Sequence, residues 1–391
     1  METKKADKKF VARSKFEDFE IARAEGIYIY DNRDNKYIDF LMGWCVGNLG
    51  WGNPEIEKAM REFDGPDYVL PGFMYKPWSE LAELLAEITP GNLSKSFRTT
   101  GGTESVETAM QLAMAYTGRR KFLSLEGSYH GNSIATLSLG GSEGKDKLAN
   151  PLQNCHKIEL PLDEKALARV ETQLKQKDVA AFIMEAVSCN LGVYIPKPEF
   201  MRGLQALCRQ YGTLLVIDEV ATGFGRTGKM FACMHFGLEP DILCMGKALS
   251  GGYAGIGATI TTEEIADAVK EDVSIYSTYG WHPRSVHAAL VNLNYIVRNE
   301  EELMQHVKEM SARIVSSMLN MSFRTETQIH AKGLAISVDV NDSDYAEEIK
   351  KQCRKNGLVI TVQETKLVFF PALTIKKEEV EEAMAILRNS I

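Results

Sequence analysis

Residues 211–252, YGTLLVIDEVATGFGRTGKMFACMHFGLEPDILCMGKALSGG, constrain the fold of this chain more than any other stretch. Leu214–Ile217 and Ile242–Met245 are short apolar runs bounded by turn residues, the pattern of strands buried on both faces. Each run delivers one charged group, Asp218 after the first and Lys247 after the second, and glycines follow both. In an open α/β sheet, ligands sit outside the carboxyl ends of the strands, so the carboxylate and the amine are expected to share one crevice. A lysine there can form a Schiff base with a carbonyl, and an aspartate can keep a pyridine nitrogen protonated. Those are the protein's usual contributions to pyridoxal phosphate (PLP) chemistry.

From about residue 96 to 247, strands and helices alternate, as a mainly parallel sheet with helices on both faces requires. Ser96–Thr99, Phe122–Leu125 and Val179–Met184 read as further strands. Glu55–Phe63, Ser79–Ile88, Glu104–Thr117 and Pro198–Tyr211 read as helices. Thr100-Gly101-Gly102-Thr103 opens one helix directly, which puts free N–H groups and the positive end of the helix dipole at one point, suited to a phosphate. Phe122–Leu125 runs into Gly127-Ser128-Tyr129-His130-Gly131 and a Gly/Ser/Asn-rich segment to Pro151, of the kind that forms active-site loops. Val179–Met184 also ends in a charge, Glu185.

Upstream, Ile27–Tyr30 and Tyr37–Phe40 read as a hairpin around an Asn/Asp turn. The aperiodic stretch GWCVGNLGWG (43–52) either lets a ligand approach backbone or packs as a tight turn under Trp44 and Trp51. Residues 1–20 read as a short helix or arm. Beyond Gly252, Ala258–Thr261 reads as one more strand, 275–283 as a loop, and Ser285–Val297 and Glu301–Met318 as helices. Residues 333–391 read as a smaller α+β unit of strand, helix, strand, strand and helix.

Composition excludes several classes. The 391 residues leave room for two domains at roughly 150 residues each. A net charge of −8, with no dense basic stripe, argues against a nucleic-acid surface. No apolar stretch is long enough to span a bilayer, and METKKADKKF lacks the apolar segment of a signal peptide, so no membrane partner and a cytoplasmic location are expected. The seven cysteines form no CxxC pair, which favours reduced, packed thiols and no metal site.

Gly223-Phe224-Gly225-Arg226-Thr227-Gly228 fits GxGxxG, but Asp218-Glu219 stands where the phosphate turn of a dinucleotide-binding fold would begin. The segment after it also meets Gly237 before a full crossover helix. A nicotinamide- or flavin-binding reading is therefore set aside.

Several blocks together carry a stronger signal: TGGTESVETAMQLAMAYTGR (100–119), SYHG (128–131), LLVIDEVATGFGRTG (214–228), PDILCMGKALSGG (240–252) and PALTI (371–375). In this order and spacing the chain resembles the class III aminotransferases, PLP enzymes of fold type I, over nearly its whole length. Its core blocks are most similar to the diaminopelargonate-forming members. The resemblance implies a large α/β domain over 55–280, an N-terminal arm and hairpin (1–54) joining a small domain, and a C-terminal small domain with a linking helix over 281–391. It implies that Lys247 carries PLP and shuttles a proton, and that Asp218 pairs with the pyridine nitrogen. Gly102 and Thr103 would bind the phosphate, Tyr129 and Val220 would cover the two faces of the ring, and His130 and Glu185 would complete the cofactor site. Thr278 would reach the cofactor of a neighbouring subunit, which implies an obligate homodimer.

Three departures bear on substrate. The arginine that many members place in the C-terminal strand to clamp a carboxylate is matched by Val368, and the glutamate that pairs with it in several members is matched by Asn190. The partner-facing loop reads Gly280-Trp281-His282-Pro283, where Trp281 would add bulk near the cofactor phosphate or the pocket mouth. With Trp44 and Val368 on its walls, the pocket suits an amine donor and a carbonyl acceptor, unless Arg226, Arg284 or Arg324 supplies a clamp. An aminomutase or lyase on the same fold, and a cofactor-binding protein without turnover, remain alternatives at this point.

Overall fold

The computed structural model describes residues 19–140, 152–269 and 275–391. All but the last two residues of the arm expected over 1–20, most of the loop leading to Pro151, and the residues just before 275 lie outside the described residues.

Strands β1 (Ile21–Glu25), β2 (Tyr28–Asp31) and β3 (Lys36–Asp39) form an antiparallel meander at the start of the chain. Strands β4 (Lys95–Thr99), β5 (Lys121–Leu125), β6 (Cys155–Ile158), β7 (Val179–Met184), β8 (Leu214–Asp218), β9 (Ile242–Met245) and β10 (Gly257–Thr261) follow. They build one seven-stranded sheet in the order β4-β10-β9-β8-β7-β5-β6. All neighbours from β9 to β6 are parallel, and β10 runs antiparallel to both β9 and β4.

The apolar runs are continuous because the sheet is covered on both faces. Leu215 and Ile217 join one hydrophobic cluster with Phe200, Leu204 and Cys208, while Leu214 and Val216 join another with Val106, Ala109 and Ala113. The helix Pro198–Tyr211 therefore lies on one face and the helix Gly102–Thr117 on the other. Both end at a glycine with positive φ, Gly212 and Gly118, a conformation that costs a residue with a Cβ more than it costs glycine. The helix Pro54–Arg61 starts where Asn53 accepts from the N–H groups of Glu55 and Ile56.

At the C-terminal end come β11 (Gln328–Lys332), β12 (Ala335–Asp339), β13 (Leu358–Val359), β14 (Thr361–Gln363) and β15 (Lys366–Phe369). Four of them form an antiparallel sheet in the order β11-β12-β15-β14, while β13 pairs in parallel with β3. The N- and C-terminal segments thus share one sheet. Among the described residues, no helix is long and apolar enough to cross a membrane.

The expected GWCVGNLGWG loop contains an unusual turn. Met42, Gly43, Trp44 and Cys45 all have positive φ, at 46°, 61°, 61° and 64°. The stretch does form a tight turn under Trp51, whose ring packs on Gly43 and Gly47 and whose indole N–H donates to Asp39 at 3.1 Å.

Candidate active site

The carboxyl ends of four adjacent strands assemble the site. β8 ends in Asp218, which is 3% exposed. Its Oδ1 accepts from the Val220 N–H at 3.0 Å, and its Oδ2 lies 2.8 Å from His130 Nδ1. His130 arrives from the loop after β5 and is equally buried, and its Nε2 has no hydrogen-bond partner. An aspartate so held is oriented, not merely buried.

β9 leads through extended Gly246 into Lys247, whose φ of 43° is rare for a residue with a side chain. A Cβ at Gly246 would stand 3.0 Å from the Gly102 nitrogen, and one at Gly102 would stand 2.7 Å from Val220 Cγ1. These two glycines let the ends of β8 and β9 and the start of the helix Gly102–Thr117 close onto one point. The helix has no side-chain cap at Gly101, so its first N–H groups are open to an anion. Ser105 pins its first turn to β10 through the Ala258 carbonyl at 2.7 Å. Thr103 Oγ1 accepts from the Asn132 N–H at 3.4 Å, beside the Tyr129-His130-Gly131 loop.

β7 leads into Glu185, 3% exposed, with Oε2 unpartnered. Burial first, and then the nearby Asp218 charge, push its carboxyl well above the usual range. Its unpartnered oxygen is open to a hydrogen-bonding group nearby. Tyr129 is 42% exposed. Val220 is half-buried, against Gly102. An orphaned carboxyl oxygen, an uncapped helix start and a fixed Asp–His pair around one lysine fit a phosphorylated pyridine aldehyde.

The other expected site residues fall in two places, Trp44 and Val368 around β15, and Thr278 and Trp281 in the loop before the helix Pro283–Arg298. Thr278 is exposed, and its carbonyl accepts from the Tyr68 hydroxyl at 3.2 Å. Trp44 is half-buried, with its ring centroid 5.5 Å from that of Phe370. Val368 is fully buried in β15, facing Ser337 and Thr361. Trp281 turns inward instead of adding bulk at a pocket mouth: it is 2% exposed and donates from Nε1 to the Gly257 carbonyl at 2.8 Å. A side chain so enclosed by its own chain leaves almost no surface for a ligand.

Sequence reasoning does not single out Gln363. Its Nε2 donates to Asn190 Oδ1 at 3.3 Å and its Oε1 accepts from the Gly192 N–H at 3.1 Å, tying the loop after Glu185 to β14. Two of the candidate clamps are committed elsewhere. Arg226 is buried against backbone carbonyls, and Arg324 pairs with Glu348 at 2.7 Å. Arg284 lies over the Phe63 ring. The glycines at 223–228 pack against protein, since a Cβ at Gly225 would stand 2.7 Å from Leu373 Cδ1. The Glu219 carboxylate accepts from Thr222 at 2.5 Å and from the Cys233 N–H at 2.8 Å, closing this turn on itself.

Fold and site together define a PLP-dependent transaminase of fold type I. The chain belongs to the class-III aminotransferases, whose family model matches residues 11–391. It is 30% identical to the adenosylmethionine-8-amino-7-oxononanoate aminotransferase of Staphylococcus aureus, covering 97% of this chain and 93% of that one. It is 32% identical to the putrescine aminotransferase of Pectobacterium atrosepticum, over 92% and 80% of the two chains. Among solved structures, the taurine:2-oxoglutarate aminotransferase of Bifidobacterium kashiwanohense, in complex with PLP and glutamate, superposes with a TM-score of 0.92 at 27% identity. That match covers 100% of this chain and 96% of the other.

Proposed function

We propose that this enzyme moves an amino group from an amine, or from the terminal amino group of a longer donor, to a carbonyl acceptor, in two half-reactions at one site. What supports the donor class is Val368 itself, uncharged and fully buried in β15 where many members of the family carry a carboxylate-clamping arginine. On that face of β15 the nearest cation along the strand, Lys366, is held by Asp339 at 3.3 Å. Across from it stands the uncharged Asn190–Gln363 pair. A donor carboxylate directed there would be buried without a counter-charge, at a cost of several kcal/mol. The putrescine aminotransferase named above agrees with an amine-type donor.

When bound, PLP supplies a carbonyl that condenses with amines and a ring that accepts electrons from the adjacent carbon. The roles proposed for this chain follow from position. Lys247 Nζ binds the cofactor carbonyl, and later takes the proton from the donor carbon that bears the nitrogen. Asp218, oriented by His130, holds the proton on the pyridine nitrogen. Glu185 hydrogen-bonds the ring oxygen, Gly102 and Thr103 take the phosphate, and Tyr129 and Val220 flank the ring. The division into 1–54, 55–280 and 281–391 is proposed with these roles, on the strength of the β3–β13 pairing.

The visible spectrum of the purified enzyme tests the reading. A yellow band that bleaches with simple amines or diamines, and returns with an aldehyde or oxo acid, is the expected result. Glutamate should bleach it far more slowly. A band indifferent to every amine would overturn transamination, and rapid bleaching by glutamate alone would overturn the neutral-wall argument.

We further propose a homodimer, with Thr278 serving the partner's cofactor. Tyr68, Leu70, Phe73, Met74, Tyr276 and Tyr279 are large exposed side chains on segments that meet at the Tyr68–Tyr279 ring contact. Light scattering should give twice the chain mass, and a monomer at working concentration would refute the shared site.

A further inference from the structure

Lys247 takes its left-handed φ of 43° at the start of a 3₁₀ turn, Lys247–Leu249. A residue with a Cβ holds that conformation only where its surroundings over-determine it. In the ordinary right-handed region, with φ at about −63°, the side chain would leave the backbone in another direction and carry its amine away from the strand ends. The backbone before Lys247 is held by Ser105, whose Oγ accepts from the Met245 N–H at 3.3 Å and donates to the Ala258 carbonyl at 2.7 Å. The backbone after it is held by Asn292, to which the roles above assign nothing.

Asn292 stands in the helix Pro283–Arg298 and is 1% exposed. Its Nδ2 donates to the carbonyls of Ala248 and Leu249, at 2.8 and 3.1 Å. Two carbonyls at one end of the amide fix that end as the N–H donor. The other end has no such use. Oδ1 is buried without a hydrogen-bond partner, and it lies against Gly251, where a Cβ would stand 2.7 Å away. The buried positions around Asn292 on this helix include Val286, Ala289, Leu293 and Ile296, all apolar. An amide among them is a poor choice for stability, since a buried acceptor without a donor is costly. What the amide does provide is a fixed position for the turn that begins at Lys247.

We propose that Asn292 is a positioning residue for Lys247. It holds the 3₁₀ turn so that the lysine keeps its left-handed backbone and its amine stays where β8, β9 and the helix Gly102–Thr117 converge. The inference rests on the assignment of Lys247 above and deepens it. Without the amide, the Ala248 and Leu249 carbonyls lose that donor and the turn is free to relax toward right-handed φ. The start of the helix Gly102–Thr117 keeps its own anchor, Ser105, so displacement of the amine and damage to the rest of the site can be read apart.

Two probes do this in the full-length protein stripped of cofactor. PLP is captured: the Lys247 amine bonds to the aldehyde carbon, and the aldehyde oxygen leaves as water with the two amine protons. Pyridoxine 5′-phosphate has an alcohol in place of the aldehyde, so it binds without reacting and reads the remainder of the site by competition. Asn292→Leu keeps the forked shape and loses both donated bonds. It should slow the growth of the yellow band by about 10- to 100-fold, the cost of a displacement near 1 Å, with the affinity for pyridoxine 5′-phosphate unchanged. Asn292→Asp, of the same size with at most one proton to donate, should slow capture less. Thr213→Val removes a buried hydrogen bond to the Val179 carbonyl at the opposite end of β8, and should lower the melting temperature while leaving capture unchanged. Should Asn292→Leu fail to fold, capture at the wild-type rate in Asn292→Asp overturns the proposal. A loss of pyridoxine 5′-phosphate affinity as large as the loss in capture rate, or equal slowing in Thr213→Val, also overturns it, because either marks a merely structural residue. Borohydride reduction and peptide mapping identify the lysine that is captured. A lysine other than Lys247 fails the lysine assignment and this inference with it, whereas capture on Lys247 at an unchanged rate in the Asn292 variants fails this inference alone.

Discussion

Lys247→Ala is expected to lower the rate of amino transfer by about 10³-fold or more, and to abolish covalent retention of the cofactor. The argument is positional. Gly246 is extended and close against Gly102, so the chain at 246–247 cannot move without opening the helix start. Lys247 takes a left-handed φ there, and so stands at the point where β8, β9 and the helix Gly102–Thr117 converge. Positioned proton transfer by a side chain contributes on the order of 10²–10⁴ in rate, and the same amine is proposed to bind the cofactor as well. The check is borohydride reduction followed by peptide mass spectrometry. The wild type should carry the reduced cofactor on the peptide containing Lys247, and the variant on no peptide. A variant that keeps its rate within tenfold, or a modified lysine elsewhere, would displace Lys247 from the centre of the mechanism.

The part of the site built from strand ends was legible because local sequence decides it. β7, β9 and the first four residues of β8 are apolar runs, and the first charge after each, Glu185, Lys247 and Asp218, stands at the edge where the sheet stops. The helix Pro198–Tyr211 was legible to the residue, with proline at its start and a left-handed glycine after its end. Other elements depend on distant partners. Every residue of β1 is exposed, so no alternation marks it, and β13 is two residues long and exists by pairing with β3. β6 mixes cysteine, histidine and lysine with one buried isoleucine.

Side-chain partners far apart in sequence were less legible still. Gln363 meets Asn190 across 173 positions, and Arg226 meets Asn48 across 178. The inward turn of Trp281 was hidden for a similar reason: its indole partner, Gly257, lies 24 positions upstream on a strand edge that the loop sequence does not reveal. The left-handed turn at 42–45 carries only one glycine to announce it.

Asp218 offers the second large effect, because two substitutions there separate chemistry from stability. Asp218→Asn keeps the volume and an acceptor for the Val220 N–H, which now sits 3.0 Å from the carboxylate. It also keeps a polar partner for His130, so the melting temperature should change little. The amide carries no charge, however, and a neutral neighbour no longer holds a proton on the pyridine nitrogen. Removing one preorganised electrostatic partner of a developing charge typically costs about 10²–10³ in rate, and that loss is expected in the amine half-reaction measured in a single turnover. Asp218→Ala should show the same catalytic loss and also a stability loss of about 2 kcal/mol. His130 Nε2 is already unpartnered in the structure, and removing the carboxylate strands Nδ1 as well. If the asparagine variant reacted with amines at the wild-type rate, the carboxylate would be a structural anchor for His130 and the electron-accepting role would have to come from elsewhere. If it were slow and the alanine variant melted no lower than it, the Asp218–His130 contact would matter to the reaction but not to the fold.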